Sequence, residues 1–248
     1  MATSKLQGKV AFVSGGSRGI GAAIVRRLAA DGATVAFTYQ SSADTAQALA
    51  GEIEAGGGTA VALRVDAADA AALTTAINDV QRRFGRLDIL VNNAGVFRAG
   101  DIASATLEDF DATVAVNVRA VFVATKAAVV HMQEGGRVIN IGSTNADRMP
   151  FVGAALYAMS KSALKGLVQG LARDLGPRGI TVNNVQPGPV NTDMNPADTD
   201  FGKSMHGLMA LDRHADASEI AGMVAYLASA EAGFVTGASL NIDGGFSA

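Results

Sequence analysis

Seven short runs rich in β-branched and apolar residues recur along the 248-residue chain, separated by longer Ala-rich amphipathic stretches, and this alternation restricts the fold more than any other feature. The runs are KVAFVSG, ATVAFTY, AVALRVD, LDILVNN, GRVINIGS, GITVNNVQ and ASLNID. Parallel strands need crossover connections of a dozen residues or more, and Ala43 to Glu54 and Ala68 to Phe84 are helical segments of that length. The pattern predicts an α/β fold: one doubly wound, seven-stranded parallel sheet with helices on both faces. No linker, low-complexity tract or repeat interrupts it, so residues 1–248 are read as one domain.

Composition narrows the function classes. The net charge is −3 with no block of like charges, which argues against a nucleic-acid surface or a polybasic membrane anchor. With no cysteine there is no thiolate nucleophile, disulfide framework or zinc ribbon. The opening MATSKLQGKVAFVSGG does not read as a signal peptide, and nowhere do eighteen apolar residues run uninterrupted. The expectation is a soluble, cytoplasmic protein with no membrane partner.

The first strand runs directly into GSRGIGAAIVRRLAADG, with glycines at 15, 19 and 21. Glycine at a strand-to-helix turn lets the backbone approach a pyrophosphate, which then rests on the N–H groups of the helix amino terminus. Two further segments, TNADRMPFVGAAL and NTDMNPADTDFGKSM, follow the carboxyl ends of strands. Open α/β sheets bind ligands at that edge, so these loops are expected to wall a pocket. In YAMSK, Tyr157 and Lys161 stand four apart, on one face of a helix. A phenol with an ordinary pKa of about 10 takes part in proton transfer at neutral pH only when its surroundings favour it, as a nearby cation does.

The G-x-x-x-G-x-G spacing resembles the fingerprint of the short-chain dehydrogenase/reductase family, with Ser14 in place of the usual Thr. The resemblance continues along essentially the whole chain through NNAG at 92 to 95, Asn117 in VAVNVRA, Ser143 in INIGS, YAMSK, QPGPVNTDM and FVTGASLNIDGG. It implies a Rossmann fold and an oxidoreductase that reduces ketones to secondary alcohols, with a small-molecule ketone or alcohol as substrate and no metal. By the resemblance, Tyr157 is the general acid and base. Lys161 lowers its pKa and binds the nicotinamide ribose, Ser143 hydrogen-bonds the substrate oxygen, and Asn117 holds a water through which Lys161 recovers a proton. Ser143 precedes Tyr157 by fourteen residues, one more than in many members, and the extra residue is assigned to the NADRMPFVGAA loop.

The implied cofactor set begins with Gly15, Ser17, Arg18, Gly19, Ile20 and Gly21 at the first turn. Tyr39, Ser41, Ser42 and Asp66 follow at the adenosine end, although a carboxylate at Asp66 fits a helix cap equally well. Asn93, Ala94, Gly95, Tyr157, Lys161, Pro187, Gly188, Val190 and Thr192 complete it. An NAD enzyme of this architecture places an acid at the end of the second strand. Here FTYQSS has none before Asp44, and Arg18 lies in the glycine loop, so NADP(H) is expected.

Substrate contacts are assigned to Ser143, Tyr157, Met149, Met194 and Met205; the loop residues Met149, Met194, Met205, Met209 and Phe151 fit an apolar, adaptable pocket and equally ordinary core or lid packing. Relatives include 3-oxoacyl-carrier-protein reductases, whose basic residues before the fifth strand are replaced here by HMQEGG, leaving Arg178 as a possible second contact. In GGSRGIGAAIVRR and ADRMP the chain also resembles a bacterial subgroup that includes a cyclic-di-GMP-binding mediator of biofilm dispersal, which implies a nucleotide-binding regulator as the alternative class. Leu164, Leu167, Val168, Leu171 and Leu175 form a helical stripe, which by itself also fits packing on its own sheet; members of the family bury this helix in a four-helix dimer contact, commonly within a tetramer, so a homotetramer is what the resemblance implies. His131, His206 and His214 fall near none of the motifs and are read as surface or loop residues.

Overall fold

A computed structural model describes residues 5–248, so the first four residues of the segment read for a signal peptide lie outside it. Seven strands form one parallel sheet in the order β3-β2-β1-β4-β5-β6-β7. They are β1 (Val10–Val13), β2 (Thr34–Tyr39), β3 (Thr59–Arg64), β4 (Ile89–Asn92), β5 (Arg137–Ile141), β6 (Thr181–Pro187) and β7 (Ser239–Ile242). Each falls inside or within one residue of its predicted run. Strands buried on both faces read as continuous apolar segments, and β1 shows how they divide. Ala11 and Val13 join one core with Val35, Phe37 and Ile24. Val10 and Phe12 join the other with Leu73, Leu90 and Val168.

The helices covering these faces are α1 (Gly19–Ala30), α2 (Ala43–Ala55), α3 (Ala70–Phe84), α4 (Leu107–Val114), α5 (Ala120–Val129), α6 (Ala155–Leu175), α7 (Asp200–His206) and α8 (Ala217–Ala228). Local chemistry sets their ends. Asp69 accepts from the N–H groups of Ala71 and Ala72 at the start of α3, and Gly85 stops that helix at φ +74°. Thr106 with Asp109, and Asp216 with Glu219, build reciprocal capping boxes on α4 and α8. Between α4 and α5 the residues Ala115–Arg119 form a π turn, which the apolar periodicity of VAVNVRA does not announce.

Three sequence readings resolve here. The stripe at Leu164, Val168 and Leu175 is buried within the subunit, where Val168 and Leu175 join the core beneath α6, which is the packing on its own sheet that the stripe alone allowed. Leu107–Val129 is long and apolar enough to cross a membrane, with a mean hydropathy of 1.4, although no run of eighteen apolar residues exists. Half of that window is buried inside the protein, because α5 packs on α3 and on β4 as a core helix. His214 is the loop residue it was read as, and the loop buries it.

Candidate active site

The order of the sheet reverses at β1 and β4, and the carboxyl ends of those strands open into a cavity of about 620 Å³. One wall is the turn between β1 and α1. Gly15 at φ +66° and Gly19 at φ +53° adopt a backbone that side chains disfavour. The turn is pinned from three sides: Gly15 N donates to Thr38 Oγ1 at 3.0 Å, while Asn93 Nδ2 donates to the Ser14 and Gly15 carbonyls at 3.0 and 2.8 Å. Ser14 Oγ accepts from the N–H groups of Asn93 and Ala94, so the serine performs this tie without the methyl group of threonine. Unlike α3, α4 and α8, helix α1 has no side-chain cap and no acid in its first turn. Its uncapped N–H groups and positive dipole end therefore face an anion site at Gly19, Ile20 and Gly21, which border the cavity. This cradle fits a dinucleotide pyrophosphate.

The opposite wall carries Ser143, Tyr157 and Lys161. β5 delivers Ser143 in extended conformation at φ −168°, and Tyr157, from the first turn of α6, borders the same cavity. The fourteen-residue spacing is absorbed by the short 3-10 turn Thr144–Ala146 and by Gly153 at φ +80°. Lys161, one turn further along α6, is buried and donates to the Ile141 carbonyl at 2.8 Å. An ammonium has three donors and this one meets a single protein acceptor, which leaves N–H groups for a ribose.

The electrostatics differ from the sequence expectation that Lys161 lowers the Tyr157 pKa. Burial pushes the Tyr157 phenol above its ordinary value, with the Ser143 hydrogen bond opposing it. Lys161 Nζ lies 5.7 Å from the Tyr157 ring centre, and burial draws the amine itself down to about 8. In this state the phenol is held protonated at neutral pH.

Asn117 does not border the cavity. It sits in the π turn, nine-tenths or more buried, with Nδ2 donating to the Val96 carbonyl and to Ser160 Oγ, each at 3.0 Å. Its Oδ1 accepts from Val96 N at 2.9 Å and keeps one lone pair. A Cβ built on Gly95 would lie 3.6 Å from both this oxygen and Lys161 Nζ, so the two groups flank the same glycine.

All the residues of the implied cofactor set border this one cavity. Asp66 accepts from Ala68 N and from Gln40 Nε2, both at 2.9 Å, a local turn ahead of α3; the cap of that helix is Asp69, so the capping alternative for Asp66 does not hold. Gln40 and Arg64 at the ends of β2 and β3 had no motif to mark them, yet Arg64 Nε reaches the Gln40 carbonyl at 3.4 Å beside Tyr39. Met194 and Met205 border the cavity, but Met149 does not. Its neighbour Arg148 turns to bond the Phe246 carbonyl, and Phe151 takes the wall position instead. Phe97, Phe201 and Phe246 also border the cavity, and none had been singled out in the sequence. Arg178 is not available to a carrier protein, because its guanidinium caps the carbonyls of Val129 and Met132 at 2.7 and 2.9 Å.

The segment over the cavity is fastened by two histidines. His206, the last residue of α7, places Nε2 at 2.9 Å from His214 Nδ1, and His214 Nε2 lies 3.2 Å from Asn195 Nδ2. Asp212 stands 3.9 Å from His206 Nδ1, and Arg213 Nη1 donates to the His214 carbonyl at 3.1 Å. Burial, followed by the neighbouring His206, holds His214 below the ordinary value of 6.5. Below that pH the unfolded chain binds a proton that the folded protein resists, so stability rises with pH in this window and falls as pH drops through it. The melting temperature should decline between roughly pH 7.5 and 5.5, and His214→Asn should flatten the decline. Equal slopes in the two proteins would remove His214 as the cause.

Comparison with known proteins agrees with this geometry. A family model described as enoyl-(acyl carrier protein) reductase matches residues 15–247. The cyclic-di-GMP-binding biofilm dispersal mediator protein of Escherichia coli strain K12 is 52% identical over 241 residues, covering 97% of this chain and 98% of that protein. A solved short-chain dehydrogenase/reductase from Serratia marcescens BCRC 10948 has a TM-score of 0.97 at 62% identity, covering 98% of this chain and 100% of that one. A short-chain dehydrogenase from Burkholderia cenocepacia J2315, in complex with NADP, has the same TM-score and coverage at 55% identity.

Proposed function

The chain belongs to the short-chain dehydrogenase/reductase family of oxidoreductases, and from that premise we propose that it reduces ketones to secondary alcohols with NADPH. The observation that carries this reading is that Ser143, Tyr157 and Lys161 border one cavity, with the buried Lys161 ammonium one helical turn from Tyr157 and the uncapped start of α1 on the opposite wall. When bound, the reduced nicotinamide supplies the hydride. Tyr157, kept protonated by its burial, donates its hydroxyl proton to the substrate oxygen, and Ser143 hydrogen-bonds that oxygen as negative charge grows on it. Lys161 offers its charge to the phenolate that results and its free N–H groups to the ribose. The remaining lone pair of Asn117 Oδ1 holds a water beside Gly95, through which Lys161 is reprotonated.

NADP(H) fits the adenosine end. The end of β2 supplies Tyr39, Ser41 and Ser42 and no carboxylate, and the exposed Arg18 stands in the glycine turn with Arg64 near by. The NADP complex of the Burkholderia relative supports the same choice. Fluorescence titration should show NADPH binding at least tenfold more tightly than NADH, roughly the contribution of one charge-assisted guanidinium–phosphate contact. Arg18→Ala should remove most of that preference. Equal affinities in the parent protein would overturn the assignment, and failure of both cofactors to bind would overturn the function with it.

A second reading has a specific observation in its favour, the name of the Escherichia coli relative. A regulator that binds cyclic-di-GMP would use the same N–H groups of α1 for a phosphate, so the ligand would compete with NADPH. Tight cyclic-di-GMP binding with no ketone turned over would favour that reading. A service to acyl carrier protein is disfavoured by the engaged Arg178 and by His131, whose Nε2 lies 2.8 Å from Asn78 Oδ1. We assign the protein to the cytoplasm as a homotetramer, joined through the exposed face of α5 and α6 at Phe122, Ala163 and Gly166 and through the β7 edge beside exposed Phe234.

A further inference from the structure

The cavity above Tyr157 presents more aromatic surface than proton transfer requires. Four phenylalanines from four separate segments border it: Phe97 after β4, Phe151 after β5, Phe201 on α7 and Phe246 near the carboxyl end. Phe97 meets the Tyr157 ring edge-on, with centroids 5.1 Å apart and planes at 72°. Phe151 contacts Phe201 at 5.4 Å and Phe246 at 6.3 Å. Phe246 is buried and backs this cluster, whereas Phe97 is 44% and Phe201 56% exposed. Large apolar rings left uncovered in a concave site mark where ligand surface is received.

The charges bordering the cavity point the same way. Among the described residues they are Arg18, Asp66, Lys161 and Asp193. Arg18 belongs to the glycine turn and Asp66 to the end of β3, both on the dinucleotide side, and Lys161 is tied to the Ile141 carbonyl. The segment that carries Met194 and Phe201 contributes only Asp193, an anion. A carboxylate or phosphate on the substrate would lose its water there without gaining a cation.

We propose that Phe97 and Phe201 select uncharged ketones with an aromatic ring next to the carbonyl, so that the substrates are aryl ketones. This rests on the reductase reading. Aromatic faces attract one another beyond the area they bury, and Phe97 lies against the proton donor itself, so a ring held there places its carbonyl beside the Tyr157 and Ser143 hydroxyls.

The test compares three ketones on the NADPH-loaded protein: acetophenone, its chain-matched aliphatic counterpart 2-octanone, and the charged 4-acetylbenzoate. Acetophenone should exceed each of the others by about tenfold or more in kcat/KM. Phe201→Ala and Phe97→Leu should each pull the acetophenone to 2-octanone ratio towards unity, mainly through KM, and Phe201→Tyr should preserve it. Equal kcat/KM for acetophenone and 2-octanone in the parent protein, or a ratio unchanged in both truncating variants, would overturn the aryl assignment and leave the reductase reading standing. NADPH binding with none of the three ketones turned over would overturn both.

Discussion

Tyr157→Phe will lower kcat for ketone reduction by about 10³-fold and leave NADPH affinity within about threefold of the parent protein. The substitution removes one oxygen and keeps the ring, so the edge contact with Phe97 at 5.1 Å and the packing of α6 persist. What disappears is the proton donor, the hydroxyl that borders the cavity beside Ser143. The direction of the Tyr157 shift matters to the size of the effect. Burial holds the phenol protonated at neutral pH, which is the state a general acid needs, and Lys161 retains its charge below its own value of about 8 to receive the phenolate. Steady-state reduction followed at the cofactor absorbance, beside a fluorescence titration with NADPH, separates the two effects. A variant that binds NADPH and still reduces ketones at the parent rate would show that the proton comes from elsewhere. Lys161→Met should differ from it by losing affinity as well as rate, because that ammonium serves both the ribose and the phenolate.

The parts of this site that carry a local motif were legible in the sequence, and the parts that reach it from segments without one were not. The seven strands could be placed because a strand buried on both faces must be written as a short apolar run, as VAFV at β1 is. Gly15 and Gly19 could be placed because a backbone at φ +66° or +53° leaves few residue choices, and Gly21 because a Cβ there would meet the Gly15 carbonyl oxygen. Tyr157 and Lys161 could be paired because helical spacing puts them on one face. Phe246 gave no such signal: it reaches the cavity because Arg148 holds its carbonyl and because Ser247, accepting from Asn241 Nδ2 and donating to Asp243 Oδ2, ties down the turn around it. No periodicity encodes a contact between residues 98 positions apart. The π turn at Asn117 was equally silent, since one wider turn changes the hydrogen-bond partners of the helix and not its composition. The burial of His214 in its loop was silent too, since it depends on α7, a helix of seven residues whose docking no local pattern predicts. Met149 failed for the opposite reason: its residue type suited a pocket, but Phe151 two residues on occupies the wall.

Gly21→Ala will abolish NADPH binding and lower the melting temperature, although alanine is the better helix former by about 1 kcal/mol. The reason is the approach of α1 to the turn that precedes it. A Cβ at position 21 would stand 2.1 Å from the Gly15 carbonyl oxygen and 2.5 Å from Asn93 Nδ2. Neither can retreat freely: Gly15 is held by Thr38, and Asn93 Nδ2 is already bonded to the Ser14 and Gly15 carbonyls. Relieving the clash pushes α1 away from β4 and breaks the ties that set the pyrophosphate cradle. Overpacking of this kind costs about 3 kcal/mol, or roughly 6–12 °C in a chain of this length, and a displaced helix end forfeits most of its anion contacts. NADPH affinity should therefore fall by about a hundredfold or more. Gly51→Ala supplies the contrast, because Gly51 lies inside α2, is exposed, and has nothing within 4 Å of its absent Cβ. There the same change should raise stability by about 0.5–1 kcal/mol and leave NADPH affinity untouched. If Gly21→Ala instead bound NADPH like the parent protein, close approach of α1 to the turn would not be what holds the cofactor, and the site would have to be sought away from the glycine loop.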